Sequence, residues 1–215
     1  MELKRYKAYI FDLDGTLIDS ADVWKNIDIQ FLKKRGIDIP DEYAKMVSTM
    51  NFYDAAVYTK TRFGLDDTPE QMIKEWFDMA LYEYANNIKA LPYAREYLHK
   101  IRDEGAKTAL ATASHKELYT AVLKSNGIYE CFDCFVTTDE VERGKGFPDV
   151  YLRAADILGY APNECIVFED IIEGIRGAKL GGFAAAAVIN SFFPEDNKLM
   201  RSEADIYISD FSELL

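Results

Sequence analysis

Two carboxylates, Asp12 and Asp14, stand two residues apart at the end of an apolar run, with Gly15 and Thr16 directly after them. Residues i and i+2 of a strand point to the same face, so we expect the two carboxylates to lie side by side at a sheet edge. Like charges this close are stabilised when a cation binds them or when one of them is protonated. The pair therefore predicts either a site for a hard metal ion or a nucleophile beside an acid.

The same residue types also form plain turns, which is the alternative interpretation of this segment. We favour a functional site over a plain turn, because the pair follows a strand and does not join two arms of a hairpin. Gly15 permits a positive φ and close backbone approach, and Thr16 offers a backbone N–H and a hydroxyl to an anion. An EF-hand is excluded because no calcium-liganding loop of that type follows.

The composition restricts the classes of partner. The chain has 215 residues, a formal net charge of −12 and a pI of about 4.7. Its 49% apolar content is sufficient for a sizeable core in one or two domains. An acidic surface repels nucleic acid and anionic membranes, so we expect neither as a partner. A phosphorylated substrate would need local positive charge or a bound cation.

The cysteines and the N-terminal segment predict the compartment. Cys131, Cys134 and Cys165 are too few, and odd in number, for a disulfide framework. Cys131 and Cys134 have a C-x-x-C spacing, but without a second pair we interpret them as packing residues rather than as a zinc or redox site. The apolar run before Asp12 is too short for a signal peptide, and no run has the length of a membrane span. We expect a cytoplasmic protein that is a monomer or a weak dimer.

Short apolar runs recur along the chain between turn residues, and helical periodicity separates them. Continuous apolarity in short runs is typical of parallel strands buried on both faces. The alternation predicts an α/β fold with a doubly wound parallel sheet and ligands at the carboxyl ends of its strands. The expected strands are 8–13, 108–113, 132–137, 165–168, 184–189 and 206–208, and the expected helices are 93–104, 115–125, 149–158 and 173–180.

One long segment, from about residue 20 to residue 88, interrupts this alternation. Val23, Ile27 and Phe31 are spaced as one helical face, and Thr68 with Gln71 has the spacing of a capping box. We expect an inserted all-helical cap subdomain over 20–88, with the α/β core formed by 1–19 and 89–215. Its departure point after the first strand favours a lid over a packing appendage.

Small polar residues close the second expected strand. Thr112 and Ala113 end it, and Ser114 with Glu117 has the spacing of a capping box for the next helix. Hydroxyl groups together with the free amides of a helix N-terminus bind anions. Ordinary capping is the alternative interpretation.

Charged residues end two further strands. Lys145 stands between two glycines before an expected helix, and Glu169 and Asp170 follow the strand 165–168. Alone, the lysine is typical of a solvated surface and Asp170 of a helix cap. Adjacent carboxylates beyond a buried strand need a partner, for which a divalent cation is suited. Together, these features and Asp12 meet at the ends of four neighbouring strands.

The four blocks, in this order, resemble the motifs of the haloacid dehalogenase superfamily of phosphoryl-transfer enzymes. The resemblance covers nearly the whole chain. Residues 150–182 are similar to the branch that contains beta-phosphoglucomutase and small-sugar phosphatases, which carries a helical cap between its first and second motifs. Gly146 stands where this branch often has proline, and Ile171 where it often has serine; neither removes an implied catalytic group.

The resemblance implies a role for each site residue. Asp12 would be the nucleophile that forms an aspartyl-phosphate, and Asp14 the general acid and then the base. Magnesium would be bound by Asp12, by the backbone carbonyl of Asp14 and by Asp170, with Glu169 nearby. The residues expected to bind the substrate phosphate are Thr16, Thr112, Ala113 and Lys145.

The implied activity is magnesium-dependent hydrolysis of a small phosphorylated metabolite, of which a sugar phosphate is the preferred candidate. A beta-phosphoglucomutase-type isomerase is an alternative, but the histidine and arginine of its cap region are missing: the first histidine of the chain is His99, and residues 47–53 contain no arginine. The second alternative is a non-catalytic binding protein. The complete set of site residues argues against it, and Asp14 argues against dehalogenation.

Overall fold

A computed structural model of the chain describes residues 6–40, 42–47, 50–189 and 196–215, without the side chains of residues 44 and 45. The described residues form two compact units. One comprises the described parts of Met1–Ser20 and Ile88–Leu215, and the other those of Ala21–Asn87. The first unit contains a sheet flanked by helices, and the second is helical in its described residues.

The sheet has six parallel strands in the order β3-β2-β1-β4-β5-β6. Such a sheet with helices on both faces confirms the predicted doubly wound α/β fold. The chain builds β2 and β3 on one side of β1 and then crosses to build β4 on the other side, which makes the β1–β4 border the topological switch point. The strands are β1 Ala8–Phe11, β2 Lys107–Thr112, β3 Cys134–Thr137, β4 Cys165–Glu169, β5 Ala184–Val188 and β6 Ile206–Ile208.

The helical unit contains four helices in its described residues. Helix α4 begins with the predicted capping box: the Thr68 hydroxyl accepts from the N–H of Gln71 at 3.3 Å, and the Gln71 side chain accepts from the N–H of Thr68 at 2.8 Å. Val23, Ile27 and Phe31 form the buried face of α1, as their spacing predicts. The helices are α1 Val23–Lys34, α2 Tyr43–Val47, α3 Phe52–Phe63 and α4 Pro69–Asn86.

The described residues of the larger unit form five α-helices: α5 Ala94–Asp103, α6 Lys116–Ser125, α7 Asp149–Leu158, α8 Ile172–Leu180 and α9 Asp196–Glu203. The first four match the expected helices within two residues at each end, and α9 was not expected. Side chains of α7, α8 and α9 share one apolar cluster with Ile10 of β1. On the other face, Phe11 stacks on Phe168 with ring centroids 4.8 Å apart, and Tyr97 of α5 packs against both rings. Burial on both faces explains why the strands read as continuous apolar runs.

The two segments that connect the sheet to the helical unit lie side by side. Ile18 and Ala90 form an antiparallel bridge. The N–H of Asp19 donates to the carbonyl of Lys89 at 2.9 Å, and the N–H of Leu91 donates to the carbonyl of Leu17 at 2.8 Å. The chain therefore leaves the larger unit and returns to it at one place.

Candidate active site

The carboxyl ends of the central strands bring three carboxylates together. Asp12 directly follows β1, Glu169 is the last residue of β4, and Asp170 comes next. Phe11 pairs with Phe168 across the β1–β4 border, which sets Asp12 level with Glu169. All three side chains are buried, and one ligand oxygen of each lies within 4.8 Å of the others. The acidic cluster therefore occupies the switch point, where doubly wound sheets bind ligands.

Lys145 is the cation of this cluster. It lies in the segment before α7, and its side chain is 10% exposed. The Nζ atom donates to Oδ1 of Asp12 and lies 2.7 Å from Oε1 of Glu169. Burial disfavours the ammonium form, but the two carboxylates outweigh this effect and hold the pKa of Lys145 above its usual range. Lys145 therefore stays charged at neutral pH.

Burial also acts on the carboxylates. Loss of hydration raises the pKa of Asp12 and raises that of Glu169 to about 7, although Lys145 opposes both shifts. Counting Asp170, three carboxylates face one ammonium group within the part of the chain that the structure describes. Negative charge in excess in a buried site is costly unless protons or a cation neutralise it.

Glu169 is held on one side only. Its Oε1 accepts from the hydroxyl of Tyr151 in α7 at 2.8 Å, in addition to its contact with Lys145. Its Oε2 is buried and has no hydrogen-bond partner among the described residues. A Cβ atom built on Gly174 of α8 would lie 2.4 Å from the Glu169 Cδ atom, so a side chain at position 174 would displace the Glu169 carboxylate.

Thr16 contacts the carboxylates directly. Its hydroxyl lies 3.3 Å from Oδ2 of Asp12 and 3.4 Å from Oδ1 of Asp170, and its N–H donates to the carbonyl of Leu13 at 3.3 Å. Both groups that we expected to face a substrate phosphate are therefore within bonding distance of protein acceptors. The geometry places Thr16 between the two carboxylates that it can orient.

Thr112 ends β2 beside the cluster and is buried. Its hydroxyl accepts from the N–H of Ser114 at 3.0 Å, so its own proton is available for another acceptor. Ala113, between them, is exposed. This polar turn at the end of β2 has the arrangement that an anion-binding loop needs.

The predicted capping role of Ser114 is wrong. Helix α6 begins at Lys116, and its N-cap is His115, without a side-chain capping bond. The Ser114 hydroxyl instead donates to Oδ2 of Asp14, which brings the second aspartate of the first motif to the end of β2. The long-range bond to Asp14 replaces the local one, because the helix starts one residue later than the spacing implied.

Sequence reasoning missed Tyr151 as a contributor to the site, and for Ser114 it missed the bond to Asp14. Tyr151 lies within a helical apolar stripe, where an aromatic residue is more often part of the core. No local pattern distinguishes it, since its partner Glu169 is 18 positions away.

The three cysteines are free, and burial raises the pKa of Cys134 and of Cys165 to about 11, which leaves both thiols protonated at neutral pH.

The carboxylates fit a hard divalent cation. Magnesium prefers oxygen ligands and is bound in proteins by one or two carboxylates together with water or substrate oxygens. Asp12, Glu169 and Asp170 offer such oxygens at mutual distances within 4.8 Å. The excess negative charge of the site is what a divalent cation neutralises. The donor set is therefore suited to Mg²⁺.

Comparison with known proteins agrees with this geometry. A family model described as haloacid dehalogenase-like hydrolase matches residues 6–182. The chain belongs to this family. The resemblance drawn from the four motifs is thereby confirmed, and the chain is an enzyme of the hydrolase type.

One relative of this haloacid dehalogenase-like hydrolase covers nearly its full length. Hexitol phosphatase A of Escherichia coli (strain K12) is 29% identical over 213 residues, which span 98% of this chain and 94% of that protein. Two longer relatives from Arabidopsis thaliana are matched over 18% and 49% of their own lengths. The match therefore extends to proteins in which this region is one part of a larger chain.

Solved structures share the fold. A "putative beta-phosphoglucomutase" from Thermotoga maritima has a TM-score of 0.84, with 23% identity and 94% of each chain covered. CbbY from Rhodobacter sphaeroides, solved in complex with phosphate, has a TM-score of 0.78, with 20% identity and 97% and 96% of the two chains covered.

Among the described residues of the present chain, no helix combines the length and apolarity that crossing a membrane requires.

Proposed function

We propose that the chain is a magnesium-dependent phosphomonoester hydrolase that works through an aspartyl-phosphate. The observation that carries the proposal is the contact of Lys145 with Asp12, in a cluster that also contains Glu169 and Asp170. Burial raises the pKa of Asp12, and the fixed ammonium group of Lys145 opposes this shift, so the contact favours the ionised carboxylate that a nucleophile needs.

The first half-reaction uses both aspartates of the first motif. One oxygen of Asp12 forms a bond to phosphorus, and the bond from phosphorus to the ester oxygen breaks. Asp14 gives its proton to that leaving oxygen, so the alcohol departs neutral. The Ser114 hydroxyl, which donates to Asp14, holds this side chain near the end of β2. The enzyme is left as the Asp12 acyl-phosphate with Asp14 ionised.

The second half-reaction restores both groups. Asp14 takes a proton from a water molecule as that water attacks phosphorus, and the bond from phosphorus to Asp12 breaks. Inorganic phosphate leaves, Asp12 is again a carboxylate and Asp14 is again an acid. Throughout, Lys145, the Thr112 hydroxyl and the Ala113 amide are proposed to bind the phosphoryl oxygens, where negative charge is concentrated.

Magnesium is proposed to be bound by Asp12, by the backbone carbonyl of Asp14 and by Asp170, with Glu169 beside them. When bound, it neutralises charge on the phosphoryl oxygens and orients them for in-line attack. Thr16 is proposed to orient Asp12 and Asp170, because its hydroxyl lies within 3.4 Å of both. Its predicted contact with phosphate stays a prediction.

The proposed substrate is a small phosphorylated metabolite, with a sugar or polyol phosphate preferred. The hexitol phosphatase relative supports this choice, since it matches nearly the whole of both chains. The helical unit, Ala21–Asn87, is proposed to act as the cap that we expected from sequence. The cytoplasmic location and the monomeric or weakly dimeric state stay predictions.

The test is phosphate release from a panel of sugar, polyol and nucleoside monophosphates, with Mg²⁺ or with a chelator. We expect release from at least one sugar or polyol phosphate, loss of release with chelator, and a fall of at least about a thousandfold in Asp12→Asn, in line with removal of a catalytic nucleophile. Rapid quenching with labelled substrate would trap label on the wild-type protein and none on Asp12→Asn.

Two results would contradict the proposal. Release that survives in Asp12→Asn would exclude the aspartyl-phosphate. No release from any compound of the panel would contradict the proposed substrate class, and conversion of beta-glucose 1-phosphate to its isomer would then identify the mutase alternative.

A further inference from the structure

Helix α8 contains two glycines in its interior, Gly174 and Gly177, three residues apart and thus on the same side of the helix. Glycine in a helix interior is less favourable than alanine, because it has more backbone freedom to lose on folding. Neither glycine has the positive φ that requires this residue type. Their presence therefore has a steric cause, which lies in what the helix contacts.

Both glycines contact the active-site ion pair. A Cβ atom on Gly177 would lie 2.0 Å from the carbonyl oxygen of Lys145 and 2.9 Å from that of Phe147. A Cβ atom on Gly174 would lie 2.4 Å from Cδ of Glu169. Contacts below 3.0 Å are essentially never made by real Cβ atoms. The backbone of Lys145 and the side chain of Glu169 thus rest on the same bare surface of α8.

The segment around Lys145 has two further restraints. Arg143 and Asp149 stand on either side of the segment in sequence and form a salt bridge. In it, Nε and Nη2 of Arg143 donate to the two oxygens of Asp149 at 2.8 and 2.6 Å. The guanidinium also lies 4.4 Å from the centroid of the Phe147 ring. Within the segment, the N–H of Phe147 donates to the carbonyl of Gly144 at 2.9 Å.

The glycines that flank Lys145 do not share this crowding. A Cβ atom on Gly144 or on Gly146 would have no neighbour within 4 Å. There is therefore free space at the two positions that flank Lys145, whereas the backbone of the segment is in close contact with α8. The salt bridge of Arg143 is partly exposed, with the Arg143 side chain 51% and the Asp149 side chain 17% exposed, and it joins the two ends of the segment without contacting Lys145 itself. Steric contact with α8 is the stronger restraint.

We propose that Gly177 is a positioning residue for Lys145. The absence of a side chain at Gly177 sets how close the Lys145 backbone lies to α8, and thereby where its ammonium group stands relative to Asp12 and Glu169. This inference rests on the proposed function, in which Lys145 binds the phosphoryl oxygens. Gly177 touches no reacting atom and acts only through Lys145.

A side chain at Gly177 would displace the lysine. To restore a contact of 3.0 Å, the Lys145 carbonyl and the helix must separate by about 1 Å. A misplacement of about 1 Å in an active site can cost about a hundredfold in rate. The four-carbon stem of lysine absorbs part of the shift, so we expect Gly177→Ala to lower kcat by about tenfold to a hundredfold. The lost contacts serve the transition state, so KM is expected to stay within about threefold.

The experiment compares four variants with the wild type by steady-state kinetics and thermal unfolding. Gly144→Ala is the matched control, since it adds the same methyl group to the same segment where space is open. It is expected to keep kcat within about threefold. Lys145→Met removes the group through which Gly177 acts, and the double variant Gly177→Ala/Lys145→Met completes a cycle. In that background, Gly177→Ala is expected to change kcat by less than about threefold.

The outcomes separate the inference from the proposed function. Wild-type kcat in Gly177→Ala, or an undiminished effect of Gly177→Ala in the Lys145→Met background, would overturn the inference while the hydrolase stands. Failure of the wild type to release phosphate would overturn the proposed function and this inference with it.

A further variant decides the case if Gly177→Ala does not fold. Arg143→Ala removes the outer restraint and leaves α8 unchanged. The inference expects its kcat to stay within about threefold of the wild type, because α8 holds Lys145. A loss of tenfold or more would show that Arg143 positions the lysine, and would overturn the inference.

Discussion

The Tyr151 hydroxyl donates a hydrogen bond of 2.8 Å to Oε1 of Glu169, which joins α7 to the carboxyl end of β4. The same oxygen contacts the ammonium group of Lys145 at 2.7 Å. Two donors from separate elements therefore hold one buried carboxylate. Tyr151 thereby positions the carboxylate that contacts the ammonium group of Lys145.

Replacement of Tyr151 by phenylalanine is expected to weaken this arrangement. The buried Glu169 would lose one donor, and a hydrogen bond to a charged group contributes about 1.5–3 kcal/mol. We expect Tyr151→Phe to lower the free energy of unfolding by about this amount and to lower kcat by about tenfold. Urea unfolding in the presence of a chelator measures the change in the free energy of unfolding. Phosphate-release assays measure the change in kcat.

The matched control is Tyr43→Phe. It removes a buried hydroxyl from the helical unit, where Tyr43 bonds Thr59 at 2.6 Å. It is expected to lower stability by about 1 kcal/mol and to leave kcat unchanged. Equal losses of kcat in both variants would contradict a specific role for the bond to Glu169.

Removal of the Lys145 charge is expected to destabilise the fold. Lys145→Met would leave three buried carboxylates without their ammonium partner, and breaking a buried ion pair costs about 3–5 kcal/mol. The loss should be largest in chelator and smaller with Mg²⁺. Lys107→Met is the control, because its pair with Asp133 is at the surface and such pairs contribute about 0–1 kcal/mol. Similar losses in both variants, by urea unfolding, would show that burial of the Lys145 pair is not what matters.

Magnesium is expected to stabilise the wild-type protein. A ligand that binds the folded state alone adds about 2.7 kcal/mol at a hundred times its Kd. Asp170→Asn should remove most of the shift in Tm, because it removes one ligand charge. Asp139→Asn changes an exposed aspartate outside the cluster and should keep the shift. The prediction fails if Mg²⁺ raises Tm equally in Asp170→Asn and in the wild type.

Asp28 in the helical unit predicts a pH dependence of stability. Burial raises the pKa of this carboxyl group to about 7, from 3.8. Between these values the folded state binds more protons than the unfolded state, so Asp28 makes stability fall as pH rises from about 4 to about 7 and has no further effect above that. Asp28→Asn should be more stable than the wild type at pH 8 and should have a flatter profile between pH 5 and 7.

The control for this measurement is Asp38→Asn, which changes an exposed aspartate of the same unit. Its unfolding free energy should follow the wild-type profile at each pH. An unchanged slope in Asp28→Asn would mean that Asp28 is ionised throughout this range.

Strand positions followed from sequence because their cause is local. A strand buried on both faces is apolar along its length, as are β1 and the first four residues of β4; only Glu169, at the site end of β4, is charged. The capping box of Thr68 and Gln71 is likewise contained in four residues. The first and fourth motifs stand at the ends of two strands that a doubly wound sheet places side by side. The predicted fold therefore already brought Asp12 and Asp170 together.

The remaining features of the site depend on contacts between distant residues. Ser114 has the local pattern of a helix cap, yet its hydroxyl bonds Asp14, 100 positions away. Thr16 was expected to face an anion, and its hydroxyl lies between two carboxylates that only the folded sheet brings together. Tertiary contacts decide such bonds, and neither spacing nor propensity records them.

The antiparallel bridge between Ile18 and Ala90 joins the two points at which the chain leaves and re-enters the larger unit. The strands therefore do not depend on the length of the segment inserted between these two points. The closure is made once, by backbone bonds, and its entropic cost grows only slowly with the length of the enclosed chain. The enclosed 21–87 segment can thus be exchanged, shortened or lengthened while the strands and Asp12 keep their register. Under the proposed function, in which the helical unit acts as a cap, the substrate range would therefore change through this one segment while the sheet keeps its fold.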